Sequence, residues 1–208
     1  MANREAQSLR VADQKGFSGR MLAEAGVMLA LAKVLSFVKL FEAPFGGSVT
    51  LASMAPILFF AIRWGVGRGM IVGAVYGLLD FILDPFVYHP IQVILDYPLA
   101  YAMLGLAGLV LISHENPFIR HLPGIVLAVF MRFVMHVISG CIFFSSVDFT
   151  QPGASLTEAL SWANLSGGFV YSVTYNAGYL VPDLVICLVV IALVWRPLGR
   201  FLNRRGNA

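Results

Sequence analysis

Charged residues are scarce in this sequence. Asp, Glu, Lys and Arg make up 12% of its 208 residues, where a soluble domain typically uses ~25% to cover its surface. That shortage argues against a water-soluble fold. Cysteine is almost absent. Cys141 and Cys187 both lie within apolar segments and read as small buried hydrophobes rather than a disulfide or a metal site. No Gly-x-x-x-x-Gly-Lys-[Ser/Thr] loop occurs, so ATP hydrolysis by the P-loop route is excluded for this chain. There is no His-Glu-x-x-His and no Gly-x-Ser-x-Gly elbow, and nothing assembles a nucleophile with its base. The chain is therefore not expected to be an enzyme or to hold a cofactor or metal. The first twenty residues mix Arg4, Arg10, Lys15 and Arg20 with Glu5 and Asp13, too polar for a signal peptide. The first apolar span is expected to act as its own insertion signal.

What the sequence has in abundance is apolar surface, with 59% of residues hydrophobic. Stretches long enough for a ~30 Å hydrocarbon core recur along the chain. Six spans are expected, at about 21–40, 48–63, 67–83, 92–112, 122–145 and 168–195. They predict an all-α polytopic membrane domain over 21–196, between an amino-terminal tail (1–20) and a basic carboxyl tail (197–208). The second and third spans are short, separated by the Gly-broken basic turn Arg63-Trp64-Gly65-Val66-Gly67-Arg68.

The net charge of +3 comes from basic residues beside the spans, which is a topology signal rather than a nucleic-acid face. The amino tail carries Arg4, Arg10, Lys15 and Arg20, the 63–68 turn Arg63 and Arg68, and the 113–121 connection Arg120. The carboxyl tail carries Arg196, Arg200, Arg204 and Arg205. The alternate loops, 41–47, 84–91 and 146–167, hold no Lys or Arg but contain Glu42, Asp84, Asp148 and Glu158. The alternation predicts both termini in the cytoplasm. The 146–167 loop, with Trp162 near its re-entry, reads equally as a lid or a solvated connection.

A charge at the centre of a membrane helix costs ~2.5–3.5 kcal/mol on insertion scales, so each one calls for a reason. The spans contain Lys33, Lys39, Asp80, Asp96, Arg132, His136, Asn176 and Asp183. The predicted orientation gathers acidic and aromatic groups in the outer half, level with the connecting segment from Tyr88 to Gln92. His136, Gly140 and Phe144 recur every four residues on one helix face, as do Tyr171 and Tyr175 on another. Glycine between His136 and Phe144 is expected to leave room for a flat group. A carboxylate among aromatic faces suits a delocalised organic cation, each ring supplying ~0.5–2 kcal/mol. The structural alternative for Asp96 is a salt bridge to Arg132 or Lys33. Asp80 and Asp183 read as inter-helix partners, and Tyr88, Tyr101, Trp64 and Trp195 as interfacial anchors.

Several strings resemble the energy-coupled thiamine transporter family, ThiT. They are Gly46-Gly47-Ser48-Val49-Thr50 leading to Pro56, His89-Pro90-Ile91-Gln92 followed by Leu95-Asp96-Tyr97, the segment from His136 through Gly140 to Phe144, and Tyr171-Ser172-Val173-Thr174-Tyr175-Asn176. The similarity runs in order across roughly residues 20–196. It implies a six-helix S component of an energy-coupling factor (ECF) transporter in the bacterial plasma membrane, which captures extracellular thiamine. It also implies, as partners, a coupling transmembrane subunit and two cytoplasmic ATPase subunits that hydrolyse ATP. By the same resemblance, Asp96, Tyr97, His136, Gly140, Phe144, Tyr171 and Asn176 contact the ligand. Tyr88, Gln92, Trp162 and Tyr175 are further substrate or lid candidates. The small pair Gly26 and Ala30 on the first helix matches the family's contact with the coupling subunit, against ordinary packing within the chain. Some members carry Glu at the position of Asp96 and Trp at those of Gly47 and Phe144, and compact members have a shorter 146–167 loop. The rival readings are an S component for a thiamine precursor or other heteroaromatic, a proton-coupled secondary transporter relaying through Asp80, Asp96, Arg132, His136 and Asp183, and a membrane enzyme.

Overall fold

The computed structural model describes the backbone of residues 18–43, 46–144 and 162–202, and the side chains of all of these except 117, 162–164 and 196–202. Among the described residues there are six helices and one two-stranded hairpin. The order is α1 (Gly19–Ser36), β1 (Lys39–Glu42), β2 (Ser48–Thr50), α2 (Ala55–Trp64), α3 (Val66–Leu83), α4 (Pro90–Gly108), α5 (Pro117–Phe143) and α6 (Trp162–Leu202). Helices α3 to α6 are long and apolar enough to cross a membrane. Helix α1 matches α3 in length but carries Arg20, Glu24 and Lys33. Helix α2 spans 10 residues, or roughly 15 Å.

Two departures from the expected spans share a cause. The apolar run read as the second span divides into strand β2, a turn and α2, and the 41–47 connection lies within a β-hairpin. Lys39 pairs with Thr50 and Glu42 with Ser48. Strands of four and three residues are too short to develop an alternating pattern against a helical one. The last helix begins earlier than expected, at Trp162, so six residues read as loop are helical. Residue 145, residues 146–161 of the 146–167 loop and parts of both tails lie outside the described residues.

The polarity of the bundle suits a hydrocarbon surround. Val181, Val185, Val189 and Leu193 recur every four residues on α6 and are each more than half exposed. Helix α2, by contrast, is buried on all sides from Ala55 to Arg63. Capping is local and conventional. Ser18 accepts the Met21 N–H (3.3 Å), His89 Nδ1 accepts from Ile91 (3.2 Å) ahead of Pro90, and Asn116 accepts from Phe118 (3.0 Å) ahead of Pro117. At the basic end of the bundle, Glu24 gathers Arg63 (2.7 Å), Trp64 Nε1 (2.8 Å) and Arg20 (3.1 Å), tying α1 to the α2–α3 turn.

The contact that places the site is between α3 and α4. Gly73 and Gly77 lie one turn apart on α3 and face the backbone of α4. A methyl group at Gly73 would sit 2.2 Å from the Tyr101 carbonyl oxygen, and one at Gly77 would sit 2.4 Å from that of Tyr97. Only glycine permits this approach, the small-residue packing typical of helices in lipid. Opposite Gly77, residues Leu95–Leu99 form a π-type turn that contains Pro98. Proline has no N–H to donate and interrupts the helical ladder, and the widened turn re-aims the side chains beside it. Gly73→Val is expected to destabilise at or above the top of the roughly 1–3 kcal/mol range for overpacking, read as a lower melting temperature of the detergent-purified protein. Ile82→Val, on the exposed face of α3, should stay within about 0.5 kcal/mol.

Candidate functional site

At the end of the bundle opposite Glu24, the hairpin, the α3–α4 turn and the upper parts of α4, α5 and α6 enclose a cavity of about 160 Å³. Asp96 lies in its wall. The π-type turn sends Asp96 toward α5 and its neighbour Tyr97 toward the α3–α4 turn. Gln92, fully buried one turn earlier, donates from Nε2 to Asp96 Oδ2 (2.7 Å), while its Oε1 accepts the Tyr88 N–H (3.1 Å). Ser139 Oγ donates to the same carboxylate oxygen (2.9 Å), and His136 Nδ1 lies 3.0 Å from Oδ1. Three groups from two helices therefore hold this carboxylate, and its side chain remains 17% exposed, facing the cavity. Neither Lys33 nor Arg132 is its hydrogen-bond partner. Lys33 pairs with Asp80 at 2.7 Å, and Arg132 Nε donates to His136 Nε2 at 3.4 Å.

Aromatic rings make the remaining walls. Tyr171 and Tyr175 stack with centroids 6.0 Å apart and planes at 15°. Tyr179 extends the series, edge-on to Tyr175 at 5.7 Å and to His136 at 6.3 Å. Across the cavity Phe144 stacks on Phe86 (6.1 Å) and on Tyr88 (5.2 Å). His136, Gly140 and Phe144 all line the cavity, as their spacing predicts, together with Gln92, Asp96, Tyr97, Tyr171, Tyr175 and Asn176. Tyr88 stands behind Phe144 rather than in the wall. The side chain of Trp162 lies outside the described residues.

Three expectations change in detail. The space beside Gly140 does not belong to a flat ligand, because a methyl group there would lie 2.1 Å from Ser172 Oγ. Glycine at this position lets α5 and α6 approach. The Tyr97 hydroxyl is directed away from Asp96. It accepts the Phe86 N–H (2.8 Å) and donates to the Asp84 carbonyl (3.2 Å), so it shapes the α3–α4 turn. Asn176 is buried with both ends engaged, Nδ2 donating to the Ser172 carbonyl (2.8 Å) and Oδ1 accepting from Tyr179 (2.7 Å). One lone pair on Oδ1 is left for a ligand.

Below Asp96 the cavity runs down to polar groups that are each held by a neighbouring helix or the hairpin. Asp80 bridges Lys33 and the Tyr101 hydroxyl (3.0 Å), and Asp183 accepts from the Thr50 N–H (2.9 Å) and hydroxyl (3.0 Å). Both are inter-helix or helix–hairpin partners, as expected for them. At the rim, Lys39 bridges Glu42 (2.9 Å) and Asp84 (3.1 Å). The Glu42 hydrogen bond, seconded by Asp84, raises the Lys39 ammonium above its ordinary value against the opposing effect of partial burial. Among the described lining residues, five carboxylates (Glu42, Asp80, Asp84, Asp96 and Asp183) outnumber the cations Lys39 and Arg132, with Lys33 behind Asp80. A cleft of this sign concentrates cations. No cluster of metal-binding side chains occurs among the described residues.

Sequence reading missed Ser139, Ser172 and Tyr179. The spacing held a signal for two of them. Ser139 is three residues beyond His136 on the same face, and Tyr179 continues the four-residue series of Tyr171 and Tyr175. Gly26 and Ala30 are exposed on α1, and nothing lies within 4 Å of a methyl group placed at Gly26. Among the described residues, nothing packs against Gly26.

A family model described as thiamine transporter protein (Thia_YuaJ) matches residues 22–202. The thiamine transporter ThiT of Bacillus subtilis (strain 168) is 34% identical over 194 residues, covering 88% of this chain and 93% of its own length. ThiT of Lacticaseibacillus paracasei is 25% identical over 191 residues, covering 84% and 86%. A solved structure of ThiT from Listeria monocytogenes superposes with a TM-score of 0.65 at 20% identity, covering 88% of this chain and 96% of that one. A second structure, described as the S component of a bacterial ECF transporter, superposes with a TM-score of 0.56 at 22% identity, covering 89% and 98%. These two establish the fold, a helical membrane bundle of the S-component type. With a family model matched over nearly all of its length and a ThiT relative one-third identical to it, this chain belongs to the thiamine transporter family.

Proposed function

We propose that this protein is the thiamine-binding S component of an ECF transporter, which captures thiamine outside a bacterial cell for uptake driven by partner subunits. The observation that carries the reading is the held carboxylate of Asp96 in an aromatic-walled cleft of net negative charge. Thiamine combines a permanently cationic thiazolium with a flat aminopyrimidine, and both halves have a use for such a cleft. The thiazolium gains the Asp96 charge together with ring faces, each contributing ~0.5–2 kcal/mol. Because Gln92, Ser139 and His136 already orient Asp96, little ordering cost remains when the ligand arrives. In this reading the rings of the ligand lie among His136, Phe144 and Tyr171, with Tyr175 alongside, and Asn176 Oδ1 accepts from the aminopyrimidine. Gly140 and Tyr97 act on the shape of the site.

The proposed topology puts the cleft outside and both termini in the cytoplasm, supported by the Lys and Arg distribution. The chain has no nucleotide-binding loop, which agrees with energy supplied by other subunits: in this reading, a coupling membrane protein and two ATPases. The exposed Gly26 and Ala30 on α1 supply a close-approach surface for the coupling protein. The rival proton-coupled relay would have this chain transport alone down a pH gradient. It lacks the support of the family membership.

Asp96→Asn removes the charge and keeps the shape. By calorimetric titration of purified protein it is expected to weaken thiamine binding by about 2–4 kcal/mol, roughly 30- to 1,000-fold. Unchanged affinity would remove the cation-site argument. Asp80→Asn, whose carboxylate is occupied by Lys33 and Tyr101, should act on melting temperature more than on affinity. In whole cells, thiamine uptake should require co-expression of the coupling subunit and both ATPases. Uptake by this chain alone would sink the partner assignment.

A further inference from the structure

A cavity suited to a cation contains a buried cation, Arg132, 8% exposed on α5, and the reading above gives it no role. Its guanidinium lies 4.1 Å from the centroid of the Tyr101 ring, and Asp80 and Asp183 line the same cavity. Its Nε–H points one turn along α5 to His136 Nε2 at 3.4 Å. An arginine in a protein does not give up its proton, so this group is always a donor and His136 Nε2 must be the acceptor. The single proton of a neutral ring then sits on Nδ1 and is donated to Asp96 Oδ1 at 3.0 Å. A second ring proton would set N–H against N–H. The other groups facing His136 leave this arrangement intact. The edge of the Tyr179 ring approaches from α6 at 6.3 Å, and Asn176 Nδ2 donates to the His136 backbone carbonyl at 3.5 Å.

We propose that Arg132 is a positioning residue that holds His136 as the neutral imidazole with its proton on Nδ1, keeping the Asp96 charge available to a cationic ligand. Were His136 an imidazolium, it would form a closed ion pair with Asp96, and a cationic ligand would have to compete with it. Arg132 prevents this by presenting a permanent donor to Nε2. The residue thus acts on the ligand through His136 and Asp96. The inference rests on the thiamine reading only for its effect on affinity, because the state of the ring belongs to the ligand-free protein.

The test is ¹⁵N NMR of histidine-labelled full-length protein in lipid nanodiscs at neutral pH without ligand, with the His136 signals assigned by their loss in His136→Gln. The expected pattern is a protonated Nδ1 and an unprotonated Nε2. A ring protonated on Nε2, alone or in addition to Nδ1, overturns the proposal with no variant needed. Arg132→Met is then expected to bring a proton onto Nε2 and to weaken thiamine binding about tenfold, while a neutral aminopyrimidine fragment loses less than about twofold. Arg132→Lys, which keeps a permanent donor at that position, should restore the ring pattern in part. An Arg132→Met protein with an unchanged ring pattern, or one that loses both ligands equally, overturns the proposal. If the unmodified protein shows the expected ring but binds no thiamine, the functional reading falls and the positioning role stands.

Discussion

A charge placed in hydrocarbon must find its partner within the protein, and this constraint organises the whole bundle. Glu24 collects Arg63, Trp64 and Arg20 at one end. Lys33 of α1 meets Asp80 of α3 in the middle, and Asp183 of α6 meets Thr50 of the hairpin. Apart from Arg20–Glu24 within α1, each tie joins elements distant in sequence, so each also sets how one element is turned and how deep it lies against another. A helix that rotated by half a turn would strand a carboxylate or an ammonium in lipid. Apolar contact alone discriminates weakly between such arrangements, because lipid tails solvate leucine as well as another helix does.

The same ties and the glycine contact of α3 on α4 bring the cavity into being. Backbone approach at Gly73 and Gly77 brings α4 alongside α3 with the π-type turn at the level of the cavity. That turn separates the directions of Asp96 and Tyr97, one to the cavity wall and the other to the α3–α4 turn. The close contact of α5 with α6 at Gly140 and Ser172 sets the width of the cleft between His136 and the tyrosines. Small residues thus fix where the large and charged ones meet.

Asp96 and Asp80 differ in the groups that hold them. Asp80 is neutralised by Lys33, within hydrogen-bonding distance. Asp96 receives only neutral donors, from Gln92, Ser139 and, in the tautomer argued above, His136. Its geometry is satisfied while its charge is not. An oriented, partly exposed carboxylate beside stacked rings suits a delocalised cation.

Much of this was legible in the residues taken one at a time or in short windows. Hydropathy over a span-length window marks the six helices, and Lys and Arg beside the spans predict their orientation. Four-residue spacing places His136, Gly140 and Phe144 on one lining, and Tyr171 with Tyr175 on another, because a helix carries that period in its own backbone. The partner of each buried polar group was not legible. Asp96 has a salt bridge to Arg132 or Lys33 as its structural alternative, and the hairpin residues read as the ends of helices. Gly140 reads as room for a ligand, whereas the structure fills that space with Ser172. These outcomes turn on the rotation and depth of one helix against the next, which are fixed by contacts between residues as far apart as Lys33 and Asp80 or Gly140 and Ser172. By itself the sequence determined which side chains had to be satisfied inside the bundle. The tertiary structure decided which of them were satisfied by each other, and it turned Asp96 toward the cavity.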